Sequence, residues 1–126
     1  MATILYVDSD PEEAQKLCAL LEQAGHQVRV ERSAERALLF IQQGARFDAL
    51  VLNLFLHGMD GTELCRSMQK DSHLQQMPKV AFTTPGHRLK LDWGSELPHW
   101  MPIDHFIGEL QDPALVVQAL EQLLTR

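Results

Sequence analysis

Hydrophobic and polar residues follow two different rhythms along this chain. Short apolar runs with few charges indicate strands, and they fall at residues 3–7, 26–30, 47–54, 78–83 and 105–107. Between most of these runs, apolar residues recur every three or four positions, as they do on the buried face of a helix. Strands that alternate with helices predict a parallel sheet with right-handed crossovers and helices on both of its faces.

Local signals mark where the helices begin and end. The first helix has the clearest start, because Asp10 can cap it, Pro11 suits the first helical position, and Glu13 lies three residues after the cap. The other end signals are a cap at Ser33, terminal glycines at Gly25 and Gly44, and the cap-and-proline pair Asp112-Pro113. The last helix is predicted to bury Leu115, Val116, Ala119, Leu120, Leu123 and Leu124.

The segment 84–104 breaks the rhythm between the fourth and fifth strands. Its prolines and glycines leave little room for more than two helical turns, so the helix expected there is short or irregular. Trp93, Trp100 and Met101 form an apolar group within this segment. Two interpretations stay open: a satellite cluster that holds a long loop in place, or a loop that binds a partner protein.

Composition narrows the class of protein. The 126 residues are 45% hydrophobic and 22% charged, which fits a single globular domain over residues 1–126. A net charge of −6 with scattered basic residues argues against direct nucleic-acid binding. The apolar runs are too short for a membrane span and no signal peptide is visible, so we expect a cytoplasmic protein without membrane contact. Cys18 and Cys65 fall at apolar helix positions and are predicted to be buried thiols.

The predicted topology indicates where a functional site should lie. Parallel α/β sheets place their ligands at the carboxyl ends of the strands, near the point where the strand order reverses. The polar residues at those ends are Asp8, Ser9, Asn53 and Thr83, together with the segment that follows Ile107. No phosphate-binding glycine loop, nucleophile elbow or paired-histidine motif occurs in the sequence.

The stretches ILYVDSDP, LVLNLFLHGMDG and VAFTTPG, with the strand and helix rhythm between them, resemble the receiver domain of bacterial two-component response regulators. The resemblance covers essentially the whole chain. It implies a CheY-like, flavodoxin-like (βα)5 three-layer sandwich with a five-stranded parallel sheet in the order 2-1-3-4-5. It also implies a role in phosphorelay signal transduction.

In that family, two acids at the end of the first strand hold magnesium and an aspartate at the end of the third strand accepts a phosphoryl group. A serine or threonine ends the fourth strand and a lysine ends the fifth. The resemblance places these roles on Asp8 and Ser9, on Asn53, on Thr83 and on Gly108. Only Asp8 and Thr83 keep the residue type that the family uses.

These departures change the expected chemistry. The amide of Asn53 is neutral and cannot attack phosphorus as a carboxylate does. Asp8 is the one acid left among these positions, so it is a weak metal candidate, and we expect Mg²⁺ binding to be weak or absent and no other cofactor. Gly108 removes the cation that would face a bound phosphate. We therefore expect no catalytic residue and no enzyme activity.

A further family position falls on His105, where receivers keep an aromatic side chain whose rotamer follows phosphorylation through the residue at position 83. Without a phosphoryl group to move it, we interpret Thr83 and His105 as residual packing rather than as a working switch.

The sequence as a whole indicates a pseudo-receiver, a degenerate receiver that binds proteins independently of phosphorylation. Its partner would be a histidine kinase, an output domain, a second receiver, or a second copy of the chain. The alternative is a phosphorylatable switch or small enzyme that uses Asp8 or Asp60 as its carboxylate. One carboxylate without a neighbouring base or phosphate cradle does not make a mechanism, so we favour the first hypothesis. The partner, the oligomeric state and any further domains of the protein stay open.

Overall fold

The computed structural model describes residues 2–54, 61–68, 70, 72–84, 103–108 and 110–125. Five parallel strands form one sheet in the order β2-β1-β3-β4-β5, which confirms the predicted CheY-like topology. The strands are β1 (Thr3–Val7), β2 (Gln27–Glu31), β3 (Ala49–Asn53), β4 (Lys79–Phe82) and β5 (His105–Ile107).

Helices cover both faces of this sheet. They are α1 (Pro11–Gln23), α2 (Ala34–Gln42), α3 (Gly61–Met68), α4 (Ser72–Gln76) and α5 (Ala114–Leu124). Alternate strand residues point to opposite faces, so the sheet separates two cores. One core packs α1 and α5 against β-strand residues such as Tyr6 and Val51, and the other packs α2, α3 and α4 against residues such as Leu50.

The helix predicted between β4 and β5 would fall within residues 85–102, which lie outside the described residues. Helix α4 precedes β4 and was not predicted from the sequence. It has only five residues, so its apolar positions are too few to show a helical period. In the described parts of the chain, no helix combines the length and the apolar character needed to cross a bilayer.

The predicted ends of α1 and α2 are confirmed at the atomic level, whereas the N-cap of α5 is Pro113, without a side-chain cap, and not Asp112. The Asp10 carboxylate accepts the backbone N–H groups of Glu12 and Glu13 at 3.0 and 3.4 Å, so Asp10 is the N-cap of α1. Gly25 and Gly44 each have φ of 95°, a left-handed conformation that glycine adopts without strain. The local sequence therefore determines where α1 begins and where α1 and α2 end.

Two packing predictions are wrong. Cys65 is buried as expected, but Cys18 is only half-buried and its Sγ lies 3.4 Å from Glu22 Oε1. The buried stripe of α1 runs through Leu17 and Leu21, and Cys18 lies at its margin. In α5, Leu115 is exposed and Leu123 and Leu124 are only half-buried, because the face of α5 that meets the sheet is centred on Val116, Ala119 and Leu120.

A buried lysine joins α4 to the sheet. Lys79 begins β4, is almost fully buried, and donates from Nζ to the carbonyl oxygens of Leu74, Gln75 and Met77. Burial lowers the pKa of this amine, and the nearby Asp104 opposes that shift. The ammonium group therefore hydrogen-bonds carbonyl groups at and just beyond the end of α4, where the helix leaves its last carbonyl oxygens exposed to other donors.

Candidate functional site

The carboxyl ends of β1 and β3 bring two polar side chains together. Asp8 follows the last residue of β1, and its backbone N–H donates to the carbonyl oxygen of Glu31 at 3.0 Å. Asn53 is the last residue of β3, the strand that pairs directly with β1. The parallel register therefore places the side chains of positions 8 and 53 side by side, as the sequence predicted.

Three donors surround the Asp8 carboxylate. Oδ1 accepts the Asn53 side-chain amide (Nδ2) at 3.1 Å and the backbone N–H of Asp10 at 2.9 Å. Oδ2 accepts the hydroxyl of Tyr6 at 2.6 Å, a length typical of a hydrogen bond to an ionised oxygen. Asp8 and Tyr6 are fully buried and Asn53 is 2% exposed, so the cluster is shielded from water.

Burial dominates the electrostatics of this cluster. It raises the pKa of the Asp8 carboxyl above its ordinary value of 3.8, and the three hydrogen bonds offset only part of that rise. Burial also raises the pKa of Tyr6 and of Glu13, and in both cases the negative charge of Asp8 adds to the effect. The charge of Asp8 is therefore stabilised by dipoles at a net cost to folding.

This cost can be measured with Asp8→Asn. A carboxyl whose pKa rises on folding weakens stability as the pH climbs from its unfolded pKa through its folded one. The asparagine can still accept from Asp10 and Asn53 and can donate to the Tyr6 oxygen. We expect the variant to be more stable than the wild type at pH 7 by about 1–2 kcal/mol in urea unfolding.

The same comparison at low pH checks the cause. The gain should shrink as the pH falls through 3.8 and vanish below it, where Asp8 is protonated in both states. Asp10→Asn is the matched control: asparagine is an equally good N-cap, so its stability should change by less than about 0.5 kcal/mol. A loss of stability in Asp8→Asn at pH 7 would contradict this account.

The predicted positions on β4 and β5 lie beside one another. Thr83 follows β4 and is buried; its backbone N–H donates to the carbonyl oxygen of Ile107 at 3.1 Å, and its own carbonyl oxygen accepts from Leu110. Gly108 follows β5 and is exposed. A Cβ built on Gly108 would lie 3.5 Å from the Phe106 ring, an ordinary contact, so sterics do not demand a glycine there.

The remaining predicted residues in the described part of the chain are more exposed to solvent than Asp8, Asn53 and Thr83. Ser9 follows Asp8 and is half-buried, while His105 is exposed at the start of β5, beside Val80. Thr83 is therefore buried and His105 is exposed, and the interpretation of the two as residual packing stays a prediction. Asp60, Trp93, Trp100 and Met101 lie outside the described residues, so the proposed partner loop and the Asp60 alternative remain predictions.

Sequence reasoning missed Tyr6. The run TILYV reads as an ordinary buried strand, and the tyrosine counted only as an apolar residue. A signal was present, since residues two apart on a strand share a face, which puts the Tyr6 side chain on the same side as Asp8. Within the described residues, no group of three or more His, Cys, Asp or Glu side chains is arranged to hold a metal ion.

The fold and the polar cluster at its strand ends define a class of protein. The family described as Response regulator receiver domain matches residues 4–90, and the chain belongs to this family. Receiver domains are signalling modules of two-component systems and interact with other proteins, such as kinases and output domains.

Individual relatives show how far the similarity extends. The chain is 33% identical to protein PilH of Pseudomonas aeruginosa over 95 residues, which are 75% of this chain and 77% of PilH. It is 30% identical to the transcriptional regulatory protein GltR of the same organism over 98% of this chain, but it spans only 49% of GltR. Among solved structures, the BeF3-activated N-terminal receiver domain of Klebsiella pneumoniae RstA superposes with a TM-score of 0.78 at 27% identity, covering 98% of this chain and 99% of that one.

Proposed function

We propose that this receiver domain is a phosphorylation-independent protein-interaction module of two-component signalling and has no phosphoacceptor. The observation that supports this most is the hydrogen bond from the Asn53 amide to Asp8. An acceptor of a phosphoryl group needs an anionic oxygen with a free lone pair. At position 53 the group that faces Asp8 is a neutral N–H donor.

Asp8 is a poor substitute acceptor. Its side chain is fully buried and both of its oxygens already accept hydrogen bonds. A nucleophile must approach phosphorus in line and at close range, and a shielded carboxylate that accepts three donors is not placed to do so. This geometry argues against the alternative of an enzyme or a phosphorylatable switch built on Asp8.

The magnesium ion implied by the family does not fit these residues either. Mg²⁺ takes oxygen ligands in near-octahedral geometry and is usually bound by carboxylates together with phosphate oxygens. Here Asp8 is committed to hydrogen bonds, Ser9 offers a neutral hydroxyl, and the carboxylate of Asp10 caps α1. We therefore include weak or absent Mg²⁺ binding in the proposal, and derive no step that uses the ion.

The partner in this proposal is a protein: a histidine kinase, an output domain, a second receiver or a second copy of the chain. The net charge of −6 argues against nucleic acid, whose phosphates need clustered cations. A cytoplasmic location without membrane contact belongs to the same proposal.

Beryllofluoride tests whether the domain still switches, since the receiver of RstA is described in its BeF3-activated form. We expect the ¹H–¹⁵N NMR spectrum of the wild type to be unchanged when beryllium, fluoride and Mg²⁺ are added together. Fluoride and Mg²⁺ without beryllium provide the control. Saturable shifts of the amides of Asp8, Asn53 and Thr83 that require beryllium would contradict the proposed function.

A further inference from the structure

We propose that the hydroxyl of Tyr6 blocks divalent cations from this site, and that it does so independently of Asn53. The inference rests on the proposed function and extends it from the missing phosphoacceptor to the missing metal. It assigns a role to a residue that lies in the strand interior, two positions before the polar cluster begins.

The hydroxyl is held firmly in place. Tyr6 is fully buried in the centre of the sheet, where its backbone pairs with Val30 on one side and Val51 on the other. Its ring packs against Phe82, with ring centroids 6.4 Å apart and planes tilted by 46°. Tyr6 cannot turn away from Asp8 unless this packed core moves as well.

The donors leave little of Asp8 for a cation. An ionised carboxylate offers about four lone-pair sites. Two of them, on Oδ1, are used by the Asp10 backbone and the Asn53 amide, and Tyr6 uses one on Oδ2. The hydroxyl proton occupies one of the two lone-pair sites on Oδ2 along a 2.6 Å contact, and its positive end repels a cation that approaches the other.

Tyr6 and Asn53 act on different oxygens of Asp8, which separates their effects. Replacing Asn53 with aspartate adds a second carboxylate and removes a donor from Oδ1, yet the Tyr6 hydroxyl stays on Oδ2. The Asp10 backbone N–H also stays on Oδ1, so each oxygen of Asp8 still accepts a donor, and we expect that a second carboxylate alone does not restore metal binding. Removing the hydroxyl as well should leave two facing carboxylates with a free oxygen, the arrangement that Mg²⁺ prefers.

Thermal unfolding with and without about 10 mM MgCl₂ measures Mg²⁺ binding, because a ligand that binds only the folded state raises the melting temperature. We expect the Tm of Tyr6→Phe/Asn53→Asp to rise by roughly 4 °C with Mg²⁺. Wild type and Asn53→Asp should change by less than about 1 °C relative to NaCl of equal ionic strength. Phe82→Leu/Asn53→Asp is the matched control, since it loosens the packing around Tyr6 but keeps the hydroxyl, and it should not respond.

Three outcomes overturn the inference. An equal response in Asn53→Asp would show that Tyr6 does not block the metal, and an equal response in the Phe82 control would assign the effect to packing. No response in the Tyr6→Phe double variant would show that removing the hydroxyl does not open the site. If that variant is unfolded in buffer, its melting temperature with and without MgCl₂ is measured in sucrose, which favours the folded state. A response of the wild type would instead contradict the metal part of the proposed function.

Discussion

Asn53→Asp is expected to lower the free energy of unfolding by about 2–4 kcal/mol at pH 7. The substitution replaces an N–H donor, 3.1 Å from Asp8 Oδ1, with a second carboxylate in a buried position. Two like charges at that distance cannot both ionise without a large penalty, so the pair will retain one proton. Urea unfolding at pH 7 measures the loss.

Acidification and a second substitution identify the cause of that loss. The penalty should decrease as the pH falls towards the ordinary pKa of aspartate, because the proton that the folded pair retains is then bound in the unfolded state as well. In Asp8→Asn/Asn53→Asp the charge and the amide exchange places, so most of the stability should return, giving a favourable coupling in the double-mutant cycle. If the Asn53→Asp variant were as stable as the wild type at pH 7, positions 8 and 53 would not be in contact as described.

Lys79→Met should be destabilising by about 2–4 kcal/mol, because it removes the hydrogen bonds from Nζ to the carbonyl groups at the end of α4. Burial lowers the pKa of Lys79, so the ammonium itself carries a desolvation cost. We expect the lost hydrogen bonds to outweigh the relief of that cost, since Nζ serves three carbonyl oxygens in a buried position. Urea unfolding at pH 7 measures the difference.

Lys70→Met is the matched control for that substitution. Lys70 is exposed in the turn after α3, so the same change of side chain should alter stability by less than about 0.5 kcal/mol. A Lys79→Met protein as stable as the wild type would show that Lys79 adds no net stability at the end of α4.

The parts of this structure that could be predicted are those determined by local pattern and by topology. Asp10 and Gly25 bound α1 as expected, since capping chemistry depends on neighbouring residues alone. The contact between Asp8 and Asn53 could be predicted because parallel strands bring their carboxyl ends to the same edge. The sheet order was expected from the resemblance to receiver domains.

The parts that could not be predicted depend on single polar atoms within apolar surroundings. Tyr6 belongs to an apolar strand, and nothing local shows that its hydroxyl meets Asp8 rather than water. Lys79 precedes an apolar run, where a charged residue normally marks a strand end, and its burial depends on carbonyl groups brought there by α4. Both contacts arise only when the tertiary structure has formed.

Incubation of the wild type with acetyl phosphate and Mg²⁺, followed by intact-mass measurement, tests the central claim most directly. With a neutral amide at position 53 and a shielded Asp8, we predict that the mass stays unchanged. A stable gain of one phosphoryl group would contradict the account, and loss of that gain in Asp8→Asn would identify Asp8 as the acceptor.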